Sequence, residues 1–140
     1  PLASTVASAL YSGHSIDKPY FFNRKEAKDH GEGGKLIGYQ PKEGDKIIII
    51  EDVITAGTAV RESMALLKDY KVTVTDMFIS VDRCEVGYNG KTAVAEVMEE
   101  FGIRVHSIIT VKDLLAYLKD KNSEMAEKIE QYMAQYCIIN

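Results

Sequence analysis

Tryptophan is missing altogether from these 140 residues, and only two cysteines and three prolines occur. Cys84 and Cys137 lie far apart, without a CxxC pair or a Cys/His ligand spacing. A disulfide framework and a zinc site are therefore not indicated, and a reducing cytoplasm is the compartment this usage fits. Positive charge is also short, with 17 basic residues against 21 acidic ones and a net charge of −4. No global positive field draws a nucleic acid or an anionic membrane, so any anion must be met locally. No apolar run approaches the roughly 18 residues of a membrane helix, and no basic-then-apolar leader opens the chain. What remains is a chain with 46% hydrophobic residues, long enough for one domain around one core.

The order of elements is legible from periodicity. Leu2, Val6, Ala9 and Leu10 recur at helical spacing behind Pro1, and Gly13 is placed to end that helix. Tyr20, Phe21 and Phe22 make a brief strand. Residues 23–44 hold five of the ten glycines and much charge, which predicts a long mobile loop. Lys46 and four consecutive isoleucines then predict a central strand of a parallel sheet, buried on both faces. Val60, Met64 and Leu67 mark one helix face, and residues 72–81 return to a β-rich pattern, completing a β-α-β crossover. Residues 92–101 predict a helix stopped by Gly102, residues 103–110 a strand, and residues 111–119 and 123–136 two further helices. The alternation is that of a doubly wound α/β domain with a mainly parallel sheet.

The most informative stretch runs from Ile47 to Ala59, where an apolar strand ends in Glu51 and Asp52 and passes through Val53 and Ile54 to Thr55, Ala56, Gly57, Thr58 and Ala59. Ligands of open α/β sheets bind at the carboxyl ends of strands, and a helix start there offers backbone N–H groups to a phosphate. Gly57 permits close approach of the backbone, and the threonine hydroxyls add donors. Two carboxylates beside a phosphate would repel it unless they face sugar hydroxyls or an intervening Mg²⁺. A phosphorylated sugar satisfies both demands. This segment resembles the phosphoribosyl pyrophosphate (PRPP) signature of type I phosphoribosyltransferases. The resemblance implies that Glu51 and Asp52 take the ribose hydroxyls, that Thr55, Ala56, Gly57, Thr58 and Ala59 wrap the 5-phosphate, and that Val53 and Ile54 complete the PRPP-binding set.

A second constellation places Arg24, Lys25, Lys28 and His30 in a loop ended by Gly31, Gly33 and Gly34. Cations on a loop that can close suit a diphosphate leaving group, although most runs of this composition are solvated surface. Beside the PRPP signature the loop resembles the catalytic loop of orotate phosphoribosyltransferases. That resemblance makes Arg24, Lys25, Lys28 and His30 both catalytic and pyrophosphate-contacting, and it implies a homodimer in which Lys28 and His30 reach the neighbouring subunit's site. A third element, Asp82 and Arg83 at the end of the next strand, offers a planar guanidinium for a carboxylate. An isolated arginine there is more often an ion-pair partner, but in the resembling family it binds orotate together with the threonine at Thr55.

The implied activity is a pentosyl (glycosyl) transfer in de novo pyrimidine (UMP) biosynthesis. The 5-phosphoribosyl group of PRPP moves to orotate, giving orotidine 5′-monophosphate and pyrophosphate, with Mg²⁺ carried mainly by PRPP and no direct protein ligand. The resemblance covers nearly all 140 residues as a core domain. It lacks the family's amino-terminal hood and the pyrophosphate loop expected just before Pro1, as in a truncated or partly recorded chain. The alternatives are a phosphoribosyltransferase for another base, which would lack the basic loop, and a PRPP-binding regulator with an added DNA-binding domain. No nucleic-acid or membrane partner is expected. His14 is read as a loop residue, His106 as a partly exposed strand residue, residues 87–90 as a flexible turn, the tyrosines of the last helix as packing, and Cys84 as without a role.

Overall fold

The structure is a computed structural model that describes residues 2–23 and 36–138. Five helices and five strands follow one another as α1 (Leu2–His14), β1 (Phe21–Asn23), β2 (Leu36–Gly38), β3 (Lys46–Val53), α2 (Thr58–Lys68), β4 (Thr73–Asp82), α3 (Ala93–Phe101), β5 (Arg104–Thr110), α4 (Val111–Lys119) and α5 (Ser123–Tyr136). The strands β3, β4 and β5 form a parallel sheet in that order, joined by α2 and α3, while β1 and β2 pair antiparallel in a separate two-stranded ribbon. This is the α/β alternation expected from the sequence.

The core lies on one face of the parallel sheet. Ile49, Met77 and Val105 share one line of register, and their side chains meet those of α2 and α3 in a cluster of Ile54, Val60, Met77, Ile79, Ala93, Val97 and Ile103. Met77, Ile79 and Val97 are completely enclosed. Burying each such side chain contributes about 1.5–3 kcal/mol. Alternation sends the intervening residues to the opposite face, where Ile48, Phe78 and Ile108 remain 53%, 41% and 78% exposed. Asp76 lies on that face too, held by Arg104 (Nε to Oδ1, 2.8 Å) and by His106 (Nε2 to Oδ1, 2.8 Å), with the His106 ring stacked on Phe78. His106 is thus the partly exposed strand residue anticipated.

The helix boundaries follow local chemistry. Thr92 caps α3 by accepting from the Ala95 N–H, and Gly102 ends it in the left-handed conformation. Thr110 and Asp113 form a reciprocal capping box at α4, and Asn122 caps α5.

Four expectations are corrected. The isoleucine strand β3 is not central among the described residues: it lies at the edge of the parallel sheet, and Ile48 is exposed, because β4 supplies the only ladder it joins. Gly13 does not stop α1, which runs to His14, so that His14 is helical rather than in a loop. Ser15 takes the left-handed turn instead (φ 55°), its amide returning to the Tyr11 carbonyl. Residues 23–44 are not one long loop, since Leu36, Ile37 and Gly38 pair with Asn23, Phe22 and Phe21. The turn at residues 87–90 is tied down, by a Gly87 N–H to Lys91 carbonyl bond and by the carboxylate of Glu96.

Candidate active site

The carboxyl end of β3 carries the acidic pair, and alternation turns the two side chains to opposite sides of the strand. Glu51 is half-buried on the side of α2 and α3, in register with Ile79, while Asp52 is exposed. Burial, followed by the neighbouring charge of Asp52, pushes the Glu51 carboxyl above the ordinary glutamate value, although it accepts a hydrogen bond from the Asp52 backbone N–H. Asp52 accepts from the Val53 N–H at 2.7 Å. Such a carboxyl gains from any ligand that brings hydroxyl donors or positive charge to it.

Beyond the pair the chain bends through Ile54 and Thr55 into α2. The Ile54 side chain is a core residue, 4% exposed, so any ligand contact there is made by backbone. Gly57 precedes the helix with φ 75°, and no side chain caps the first turn. A Cβ at Gly57 would stand 2.9 Å from Arg61 Nη1 and 3.2 Å from Val97 Cγ2, so both the left-handed backbone and the lack of room select glycine. Thr55, Thr58 and Ala59 face solvent and Ala56 is half-buried. The outer side of this bend therefore presents two hydroxyls and an uncapped helix start.

Glu51 and Asp52 also line a cleft of about 780 Å³ that runs along the outer edge of β3, walled by α1 and by β1. Asn23 and Leu36, the residues that flank the segment 24–35, line the same cleft. The predicted catalytic residues Arg24, Lys25, Lys28 and His30 themselves lie outside the described residues. Among the described residues no group of three His, Cys, Asp or Glu side chains could hold a metal ion.

Arg83 follows β4, whose end lies beside that of β3 through the pairing of Val53 with Val81. Its guanidinium forms an ion pair with Glu85 and donates from Nε to Glu85 Oε1 (3.0 Å) and to the Tyr132 hydroxyl (3.0 Å), and Tyr132 in turn donates to Glu85. Tyr132, expected from the sequence only to pack, thus takes part in a hydrogen-bond network as well. Burial, followed by the neighbouring charge of Asp82, pushes the Cys84 thiol above its ordinary value.

Sequence reasoning also passed over Arg61. Its Nη1 donates to the Ala56 carbonyl at 2.6 Å, its Nη2 lies 2.7 Å from Glu100 Oε2, and its guanidinium carbon sits 5.6 Å from the centre of the Tyr88 ring. A signal was available: a cation in the first turn opposes the helix dipole unless an acceptor meets it there.

The fold that holds these strand ends together is that of the type I phosphoribosyltransferases. The crystal structure of an orotate phosphoribosyltransferase from Francisella tularensis matches 96% of this chain and 64% of that one, with a TM-score of 0.77 at 28% identity. The Leishmania donovani UMP synthase structure shares the fold, with a TM-score of 0.69 over 93% of this chain and 26% of its own. No protein-family profile matches the chain. In sequence it is 46% identical over 140 residues to the orotate phosphoribosyltransferase of Photorhabdus laumondii, covering 99% of this chain and 65% of that protein. It is 50% identical over 129 residues to that of Salmonella typhi, covering 92% of this chain and 59% of the relative. The chain is similar in sequence to these orotate phosphoribosyltransferases and spans 59–65% of the length of these curated relatives. Among the described residues, no helix is long and apolar enough to cross a membrane.

Proposed function

We propose that this chain is the catalytic core of an orotate phosphoribosyltransferase, moving the 5-phosphoribosyl group of PRPP to orotate with release of pyrophosphate. The observation that carries the reading is the end of β3. There a half-buried glutamate and an exposed aspartate precede a glycine-led, uncapped helix start, in a chain 45–50% identical to enzymes of that name.

The 5-phosphate sits against the amides and hydroxyls of Thr55, Gly57, Thr58 and Ala59, and Glu51 and Asp52 accept from the ribose hydroxyls. The attacking group is the deprotonated N1 of orotate, so the protein need supply no nucleophile. Its work is positional and electrostatic. Arg24, Lys25, Lys28 and His30 neutralise the leaving diphosphate, with His30 donating a proton or hydrogen bond to it. In support of this reading, Asn23 and Leu36, which flank that segment in sequence, line the cleft that contains the acids. Glu85 occupies the Nε and Nη2 side of Arg83, so the orotate carboxylate is met at Nη1 and Nη2, with Thr55 beside it.

In this reading Mg²⁺ arrives on the diphosphate of PRPP rather than in a cage of protein ligands. When bound, the ion offsets charge on the diphosphate oxygens. A cytoplasmic homodimer that shares the basic segment between subunits completes the proposal.

Ultraviolet absorbance of orotate tests it, with PRPP and Mg²⁺ present and Lys28→Ala as the control. Consumption that requires PRPP and collapses in the variant is the expected result. Calorimetric binding of PRPP without consumption of orotate would overturn the enzymatic reading and favour a PRPP-binding regulator, and consumption of another base would reassign the substrate.

A further inference from the structure

Arg61 meets the phosphate-facing bend from beneath. A trans peptide unit directs its C=O and its N–H to opposite sides. The carbonyl of Ala56 is held by Arg61 Nη1 at 2.6 Å, and the N–H of Gly57 belongs to the same peptide unit. That N–H is therefore turned away from Arg61 and Val97, towards the side on which Thr55 and Thr58 are exposed. The guanidinium is itself fixed. Glu100, on α3, takes Nε at 2.9 Å and Nη2 at 2.7 Å, and the Tyr88 ring lies against the guanidinium carbon.

Without this brace the Ala56–Gly57 peptide has little to hold it, because glycine at position 57 tolerates both signs of φ. A flip of that one unit would replace a donor by a carbonyl oxygen, exchanging attraction for repulsion at an anion. Arg61 is also kept from serving the anion directly, since two of its nitrogens are committed to Glu100 and the third to the carbonyl.

We infer that Arg61, locked by Glu100, is a positioning residue that orients the Ala56–Gly57 peptide so that its amide serves the 5-phosphate of PRPP. The inference rests on the proposed function, and it adds to that reading a residue outside the acidic pair and the threonine bend. It separates the 5-phosphate from the diphosphate, which the reading assigns to a different part of the chain. Loss of the brace should therefore weaken ligands that carry a 5-phosphate and spare pyrophosphate.

The test uses the full-length protein as its gene encodes it, with calorimetric titration of PRPP, ribose 5-phosphate and pyrophosphate in the presence of Mg²⁺. Arg61→Gln should weaken ribose 5-phosphate and PRPP roughly tenfold and leave pyrophosphate within about twofold, as loss of one oriented hydrogen bond to a charged group requires. Arg61→Lys, which can still donate to the carbonyl, should recover most of that loss, and Glu100→Gln should show a smaller loss in the same direction. In steady state the KM for PRPP should rise while kcat stays nearly constant, the signature of binding lost equally from ground and transition states. Unchanged ribose 5-phosphate affinity in Arg61→Gln would overturn the inference. So would a parallel loss of all three ligands accompanied by a lowered melting temperature, which marks a merely structural arginine. Failure of the wild-type protein to bind either PRPP or ribose 5-phosphate would instead bring down the proposed function, and the brace with it.

Discussion

Glu96, in the first turn of α3, accepts hydrogen bonds from the backbone N–H groups of Tyr88 (3.0 Å) and Asn89 (2.5 Å), although the residue is only 5% exposed. A buried carboxylate thus satisfies two amides of a turn that leads from Arg83 back to the helix. Removing it leaves those amides without their acceptor. Glu96→Ala should lower unfolding stability by about 2 kcal/mol, while Glu96→Gln, which keeps an accepting oxygen, should cost less. Urea titration checks this; equal stability of the alanine variant and the wild type would contradict it.

Gly57→Ala should affect both stability and ligand affinity. The left-handed backbone costs a non-glycine residue about 1–2 kcal/mol, and the added methyl group meets Arg61 and Val97. Thermal melting of the unliganded protein and PRPP titration should both move in the unfavourable direction.

Under the proposed function, Glu51 sets ligand binding against stability. Its carboxyl titrates above the ordinary value because burial and the Asp52 charge disfavour ionisation. For a group raised on folding, the stabilising contribution is present below the unfolded pKa and is lost as pH rises through the folded one. Ionisation of Glu51 therefore comes at some cost to the fold. Glu51→Gln should melt higher than wild type at pH 7, with the advantage shrinking on acidification, yet should bind PRPP roughly tenfold more weakly. PRPP affinity of the wild type should rise with pH through the Glu51 titration, because binding favours the ionised form. A glutamine variant that binds as well as the wild type would remove Glu51 from the ligand.

Asp76 has the opposite sign. Hydrogen bonds from Arg104, then from His106, hold its carboxyl well below the usual carboxylate range. Its contribution is present above the unfolded pKa and is lost as pH falls through the folded one. Asp76→Asn should melt lower than wild type at pH 7, and the difference should narrow below about pH 4. A constant difference across that range would mean that the asparagine effect is not electrostatic.

Much of the molecule was legible in its sequence where the cause is local. The bounds of α4 and α5 agree with their predicted ranges because Thr110, Asp113 and Asn122 carry capping chemistry within three residues of the amides they serve. Gly102 ends α3 as its composition requires. The edge position of β3 was not legible, since four isoleucines report hydrophobicity and not which side lacks a neighbour. The strand β2 was hidden by its three-residue length. In the site, the residues from Glu51 to Ala59 could be read as one contiguous pattern, but the partners of Arg61 and Arg83 could not. Glu100 is 39 residues from Arg61 and Tyr132 is 49 from Arg83, and no short-range spacing announces such contacts.

The place of β4 between β3 and β5 has a consequence for how the protein opens. Its amides are engaged on both flanks and its Met77 and Ile79 side chains are enclosed, so solvent deuterium reaches them only when the whole sheet comes apart. Among the described residues no strand protects the amides of β3 that point away from β4, and these should exchange through small local fluctuations. The acidic pair and Arg83 are thus set on a boundary, with the fast-exchanging strand carrying Glu51 and Asp52 and the slow one leading to Arg83.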